Sequence, residues 1–129
     1  MNCVGKIKPP YDLDDRTYEF AKHVRQLVKK LSPGTATFED GRQAIRASGS
    51  VAANYIEASD AISEKDKLHR MKLCRKESKE SQLWLRLLDV YDDAALIADR
   101  KALVQEALEL TRIFASIVLD KEGKRANKK

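Results

Sequence analysis

The chain has 129 residues, of which 35% are charged and only 6% aromatic, with five glycines and three prolines. This length suits one domain, here residues 1–129, and this composition suits long charged helices better than a β-sandwich rich in turns. We therefore predict an all-α fold.

Cysteine usage and hydropathy indicate the compartment. The two cysteines, Cys3 and Cys74, do not form a disulfide framework, which fits a reducing cytoplasm. The N-terminus lacks the apolar segment of a signal peptide, and the uncharged apolar run at 113–119 is too short to span a bilayer. We expect a soluble cytoplasmic protein with no membrane partner.

Positive charge is segregated along the sequence. Residues 65–88 carry eight Lys/Arg against three Asp/Glu, and residues 121–129 carry five against one, whereas residues 89–120 carry three against seven. The formal net charge of +5 is therefore concentrated in two strongly basic segments, because the segment between them is acidic. Such clustering is typical of a binding surface.

Hydrophobic periodicity predicts a first helix over about residues 13–31 and a second over about 37–61. Ser32-Pro33-Gly34 separates them, and Thr35 or Thr37 is the candidate cap of the second. We expect the second helix to bury a broad arc of Phe38, Ile45, Gly49, Ala52 and Ile56, with Ala44, Val51, Tyr55 and Ile62 beside it.

Two more helices are predicted, over about residues 64–91 and 99–120, with Ser63 and Asp99 as their candidate caps. The third has an inward stripe of Leu68, Met71, Cys74, Ser78, Ser81, Leu85 and Leu88. A second stripe beside it consists of Leu73, Glu77, Glu80, Trp84, Leu87 and Tyr91. Residues 121–129 are expected to form a flexible basic tail, with Gly123 as the residue that ends the helix. Helices of comparable length predict an antiparallel up-down-up-down four-helix bundle.

Catalytic constellations are weak in this sequence. Glu57, Glu77 and Glu80 lack the Glu-x-x-His spacing of di-iron bundles. Arg16 and His23 share one face of the first helix, as in the Arg-x(4 to 6)-His motif of small helical ribonucleases, but a surface arginine and histidine are far more common. The chain also lacks a nucleophile elbow and a phosphate-binding glycine loop. We expect no catalytic residues, metal or cofactor.

The strongest chemical pattern is a row of cations on the third helix. They recur at three- and four-residue intervals opposite the inward stripe, at Lys65, His69, Lys72, Lys76, Lys79 and Arg86. Such a row could contact successive phosphates of a nucleic acid. The alternative is a solvated face with a positive bias, because no aromatic residues for base stacking are interleaved with the cations.

A second polar group lies on the second helix, where Arg46, Ser50, Asn54 and Glu57 share one side. We interpret it as a packing and assembly motif that is buried against another helix. Arg46 would pair with Glu77 or Glu80, Asn54 would bond across the contact, and Trp84 would pack beside them. Such groups specify register, because an unpaired buried polar group costs about 1–3 kcal/mol.

These residues occur in an order that resembles a known family. DLDDRTYEFAKHVRQLV opens the first helix, and KESKESQLWLRLL ends the third. Between them stand Arg46, Ser50, Asn54, Tyr55, Glu57, Ala58, Ser63 and Asp66. The combination resembles the four-helix-bundle proteins encoded in intervening sequences of bacterial 23S rRNA genes, over about residues 12–118.

That family is similar in turn to the accessory variability determinant of diversity-generating retroelements. This determinant is a basic bundle that assembles as a pentamer and associates with a reverse transcriptase and nucleic acid. The resemblance therefore implies a homopentameric ring without catalytic residues. It also raises rRNA, another nucleic acid or a reverse transcriptase as partners.

The leading hypothesis is a non-enzymatic, homo-oligomeric bundle that binds RNA or a ribonucleoprotein through Lys65, Lys72, Lys76, Lys79 and Arg86. The alternative is an oligomeric scaffold for a protein partner, with no intrinsic affinity for RNA. A small helical ribonuclease is the third and least favoured hypothesis.

Overall fold

Four α-helices form the part of the chain that the computed structural model describes, which is residues 12–127, with side chains as far as residue 123. They are α1 (Leu13–Lys29), α2 (Thr35–Ser59), α3 (Glu64–Leu87) and α4 (Ala94–Asn127). No strand occurs within residues 12–127. The predicted all-α class is therefore confirmed.

Each helix runs antiparallel to the helix before it in the chain. On α2 and α3, Arg46 lies beside Glu77, whereas Asn54, further along α2, contacts Arg70, which comes earlier on α3. The same reversal joins α3 to α4 and α4 back to α1. Across the diagonal, the ring centres of Tyr55 on α2 and Phe114 on α4 lie 6.1 Å apart. This is the predicted up-down-up-down bundle.

One continuous apolar core lies between the helices. Phe20, Val24 and Leu27 of α1 face it, and the predicted inward stripe of α3 is buried from Leu68 to Leu88. From α4 come Leu103, Ala107, Leu110, Phe114 and Val118. Periodic spacing of three and four residues accounts for the buried faces of α1, α3 and α4.

The second helix is buried along the edge of the predicted arc that includes Ala44 and Val51, and not along its centre. Its buried residues are Gly41, Ala44, Ala47, Ser48, Val51 and Ala58. Phe38 and Ile56 of the predicted arc are exposed, and Ile45, Gly49 and Ala52 are half-buried. Small residues face the core because α2 approaches its neighbours closely: a Cβ on Gly41 would lie 2.9 Å from Cγ1 of Val28. The larger apolar side chains therefore remain on the surface.

Local hydrogen bonds set where the helices begin. The Ser63 hydroxyl accepts from the Asp66 N–H at 3.1 Å and caps α3, as predicted. The threonine cap predicted for α2 is wrong, because Gly34 occupies the N-cap position and Thr35 is already helical. The predicted cap of α4 is also wrong. Asp93 accepts from the backbone N–H groups of Ala95 and Leu96, so α4 begins five residues before Asp99.

The ends of α3 and α4 also differ from their predicted positions. Leu88 is extended and ends α3 before Tyr91, which has a left-handed φ of 52°. By contrast, α4 continues through Gly123 to Asn127, so the flexible tail is wrong over residues 121–127. Ion pairs of Lys121 with Glu64 and of Glu122 with Lys72 hold this last segment against α3. Residues 128 and 129 lie outside the described part.

Within residues 12–127, no helix combines the length and the apolar character needed to cross a bilayer.

Candidate nucleic-acid interface

The outward face of α3 carries the row of cations, which we call the basic ridge and define as Lys65, Lys72, Lys76, Lys79 and Arg86. Lys72 is half-buried and the other four are exposed. At 100° per residue, the five side chains leave the helix within an arc of about 80°, and at 1.5 Å per residue they span about 31 Å. The ridge is thus a straight line of positive charge along one side of the bundle.

Two ridge residues have acidic neighbours. Lys72 lies 3.2 Å from a carboxylate oxygen of Glu122 on α4, and Lys76 lies 3.9 Å from Glu80, one turn along α3. These side chains are all about 40–60% exposed, so solvent screens the pairs and each contributes little stability. The other three cations form no ion pair with any residue that the structure describes. They are available to an external anion.

The cationic residues that flank the ridge add less to its positive surface than their positions in the sequence indicate. His69 is exposed beside it, whereas Lys67, Arg70 and Arg75 are half-buried. The Arg70 guanidinium donates to Oδ1 of Asn54 at 3.1 Å and is thereby directed toward α2. The continuous positive surface is therefore close to the width of the ridge itself.

Trp84 does not lie on the ridge. It is half-buried and packs against the core from the edge of α3 that faces α2. Its indole Nε1 is buried and has no hydrogen-bond partner among the described residues. Trp84 is the only Phe, Tyr or Trp residue of α3, so the ridge can contact phosphates, and the only ring exposed beside it on α3 is the imidazole of His69.

The polar side of α2 contacts α3, as the sequence indicated. Arg46 donates to Glu77 at 3.4 Å and to Glu80 at 3.3 Å, and to Gln43 on its own helix at 2.9 Å. The Glu77 side chain is only 12% exposed, whereas that of Arg46 is 48% exposed. The expected pairing is present, but it lies at the edge of the α2–α3 contact and is not fully buried.

The remaining residues of this group differ in their surroundings. Asn54 links two helices, since its Nδ2 donates to the Ser50 carbonyl at 2.9 Å while its Oδ1 accepts from Arg70. Glu57 is exposed, and no hydrogen bond or ion pair joins it to another residue that the structure describes. The expectation of a buried position is therefore wrong for Glu57. Asn54, whose contacts reach from α2 to α3, fixes the register of the pair.

Arg16 and His23, the candidate ribonuclease pair, are engaged in separate contacts. Arg16 donates to Glu106 at 2.7 and 2.8 Å and to Glu109 at 3.0 Å, all on α4. Burial lowers the pKa of Arg16, but the hydrogen bonds and charges of the two glutamates outweigh it and raise the pKa overall. His23 is about half exposed and lies 3.4 Å from Glu19.

Sequence reasoning missed the ion pair between Arg16 and Glu106. The side chains are 9% and 10% exposed, which makes it the most buried ion pair among the described residues. A signal was present, because Glu106 lies three residues after Leu103 and four before Leu110, within the inward stripe of α4. A carboxylate at such a position requires a cationic partner on a facing helix.

Metal and thiol chemistry have little support. Among the described residues, no three His, Cys, Asp or Glu side chains lie close enough together to hold a metal ion. The thiol of Cys74 is fully buried and donates to the Val51 carbonyl at 3.6 Å. Burial raises the pKa of Cys74 to about 12, so the nucleophilic thiolate is not populated near neutral pH.

The antiparallel helices and their common core define the class of this protein, an up-and-down four-helix bundle. The family model described as 23S rRNA-intervening sequence protein matches residues 12–116. The chain therefore belongs to the 23S rRNA-intervening sequence protein family. Comparison with curated protein sequences gives no match.

A solved structure shares this fold. It is the crystal structure, at 1.70 Å resolution, of a protein of unknown function from the S23 ribosomal protein family of Bacteroides thetaiotaomicron. The TM-score is 0.70 at 27% sequence identity, and the similarity covers 82% of this chain and 94% of that chain. The bundle is thus similar to an experimental structure over nearly the whole length of the latter.

Proposed function

We propose that the protein is a non-enzymatic cytoplasmic RNA-binding bundle, which engages RNA or a ribonucleoprotein through the basic ridge. The observation that carries this proposal is the alignment of Lys65, Lys72, Lys76, Lys79 and Arg86 within one outward arc of α3. Three of these cations have no acidic partner among the described residues. A linear array of this kind contacts successive phosphates largely without regard to base sequence.

The family's relation to 23S rRNA genes supports RNA as the nucleic acid. The lack of an aromatic platform on the ridge favours contact with the phosphate backbone over recognition of unstacked bases. Structured rRNA fragments, whose backbones present regular rows of phosphates, are therefore the appropriate first ligands to test.

Charge reversal with a matched control tests this proposal. Lys65→Glu/Lys79→Glu changes the net charge by −4 on the ridge, and Lys101→Glu/Arg112→Glu makes the same change at exposed positions of α4. Fluorescence anisotropy with rRNA fragments at low salt should show at least a tenfold loss of affinity for the ridge variant and a much smaller loss for the control. Equal losses in both variants would show that only the net charge matters and would reject the ridge as the binding site.

We further propose that the protein works as a homo-oligomer, with a pentameric ring as the expected form. Exposed large apolar side chains support this assembly, since Phe38, Ile56 and Leu87 are each 51–61% exposed. Light scattering of the wild-type chain measures the number of subunits. A monomer at micromolar concentration would remove this part of the proposal and leave RNA binding by the ridge to be judged separately.

The same exposed apolar surface favours a second candidate function, an oligomeric scaffold for a protein such as a reverse transcriptase. In that case the ridge would only steer association or maintain solubility. The scaffold predicts an oligomer that shows no salt-sensitive binding to any RNA tested. Measurable RNA affinity that the ridge charge reversal removes would instead support the first candidate.

A further inference from the structure

Two surfaces of the bundle are partly apolar, and they carry opposite charge. The first, the α1–α2 face, is lined by Tyr18, Phe38, Ile45, Ala52 and Ile56, with the cations Lys22, Arg25, Lys29 and Arg42 among them. Tyr18, Phe38 and Ile56 are 56–61% exposed. The amine of Lys22 lies 5.9 Å from the centre of the Tyr18 ring, and the Arg42 guanidinium lies 6.0 Å from that of Phe38.

The contact between Gly41 and Val28 fixes the register of this face. A Cβ on Gly41 would lie 2.9 Å from Cγ1 of Val28, so these residues are at one level of the antiparallel pair. Tyr18 and Ala52 are ten and eleven residues, or about 15–16 Å, away in opposite chain directions, and therefore again lie at nearly one level. The apolar side chains of both helices thus belong to one surface.

The second surface, the α2–α3 face, is acidic. It contains Glu39 and Glu57 of α2, which are exposed, and the α3 stripe of Leu73, Glu77, Glu80, Trp84 and Leu87. Arg46, which pairs with Glu77 and Glu80, and Arg70, which donates to Asn54, also lie on this face, so its four carboxylates exceed its arginines by two. Leu87 is 51% exposed, and the buried Nε1 of Trp84 lacks a partner among the described residues.

We infer that the α1–α2 face of one copy docks on the α2–α3 face of a second copy. Charge complementarity selects this occupant. Pairing either face with itself would place like charges together, cation on cation or carboxylate on carboxylate, whereas pairing one face with the other places Lys22, Arg25, Lys29 and Arg42 opposite the glutamates. This inference rests on the homo-oligomer of the proposed function and names the surfaces that form it.

The geometry makes the contact heterologous. Ile45 on one face and Arg46 on the other are consecutive, so their side chains leave α2 about 100° apart. A contact between two different surfaces is heterologous, and its repetition forms a ring when the rotation between successive copies closes. Neither surface includes the outward arc of the basic ridge, which stays open to RNA in such an assembly.

A mixing experiment tests the inference. Ile56→Asp places a charge on the α1–α2 face, and Leu87→Asp places one on the α2–α3 face. The matched control is Leu119→Asp, at an exposed position of α4 outside both faces. Light scattering should show at least a tenfold weaker self-association for each face variant and the wild-type mass for the control, with folding verified by circular dichroism. An equimolar mixture of the face variants should form a heterodimer of twice the 14.6 kDa chain mass, because each supplies the face that the other lacks.

The outcomes separate this inference from the proposed function. Face variants that retain the wild-type mass, or a mixture that stays monomeric, would overturn the heterologous contact while leaving oligomerisation and RNA binding in place. A control that dissociates as fully as the face variants would also overturn it. A monomeric wild-type protein would reject the homo-oligomer itself, and the inference with it.

Discussion

Arg16 on α1 and Glu106 on α4 form a two-pronged ion pair, with Nε 2.7 Å from Oε2 and Nη2 2.8 Å from Oε1. Both side chains are about nine-tenths buried. Within the described residues α1 has its main contact with α2, and this ion pair is the principal polar link between α1 and α4. It therefore closes the bundle between its first and last helices.

Removing one partner of this pair should be costly. Arg16→Met leaves the Glu106 carboxylate buried without its partner, and such changes cost about 3–5 kcal/mol. The control is Lys30→Met, because Lys30 and Asp99 join the same two helices through side chains that are 59% and 46% exposed. Urea denaturation should show a loss below about 1 kcal/mol for the control. Equal losses in both variants would contradict the role assigned to burial.

The two glycines of α2 should respond oppositely to alanine. Alanine in place of a mid-helix glycine contributes about 1 kcal/mol of helix propensity. At Gly49 the new Cβ would meet only the end of the flexible Arg25 side chain, at 3.4 Å, so Gly49→Ala should stabilise the fold by up to about 1 kcal/mol. At Gly41 it would lie 2.9 Å from Cγ1 of Val28, so Gly41→Ala should destabilise. Thermal denaturation that ranks the variants in the reverse order would contradict the observed α1–α2 packing.

The start of α4 can be tested at two aspartates. Asp93→Ala removes the acceptor of two backbone N–H groups and should cost about 1 kcal/mol in urea denaturation. Asp99→Ala removes only the exposed contact with Lys30 and should change the free energy of unfolding by less than about 0.5 kcal/mol. A larger loss at Asp99 would place the helix start where the sequence alone predicted it.

Cys74 should make stability depend on pH in the alkaline range. Its pKa is about 12 in the folded chain against an ordinary value of 9.0. Between these values the unfolded thiol loses its proton while the folded thiol retains it, so unfolding becomes easier as pH rises above about 9, by up to about 1.4 kcal/mol per pH unit. In a Cys3→Ser background, urea midpoints at rising pH should fall more steeply than those of a variant that also carries Cys74→Ala. Parallel curves, or rapid alkylation of the native thiol at pH 8, would contradict the buried position.

Periodicity predicted much of this fold because α1 and α3 each have one clear apolar side. The inward stripe of α3 was fully predictable, since Leu68, Met71 and Cys74 begin a strict spacing of three and four. The side of α2 that faces the core could not be predicted in this way, because alanine, glycine and serine are compatible with either core or surface. Close packing against neighbours placed the small residues inside and left Phe38 and Ile56 exposed.

Tertiary contacts explain the remaining differences. From the sequence alone, Gly123 is expected to end a helix, yet α4 continues through it. The two residues before Gly123, Lys121 and Glu122, form ion pairs with α3 and hold this part of α4 in place. For the candidate site, the sequence predicted the cations and their common face from spacing alone. It could not predict that Glu122 would reach Lys72, since that contact depends on where the last helix ends.

The salt dependence of RNA affinity tests the central claim most directly. If all five ridge cations contact phosphates, the plot of log K against log salt concentration should have a slope of about −3.5 for single-stranded segments and about −4.5 for double-stranded ones. Lys65→Glu/Lys79→Glu should make the slope shallower by at least about 1.4, which corresponds to two lost contacts, while Lys101→Glu/Arg112→Glu should leave it unchanged. A slope near zero for the wild type, or the same slope for wild type and ridge variant, would contradict RNA binding through α3.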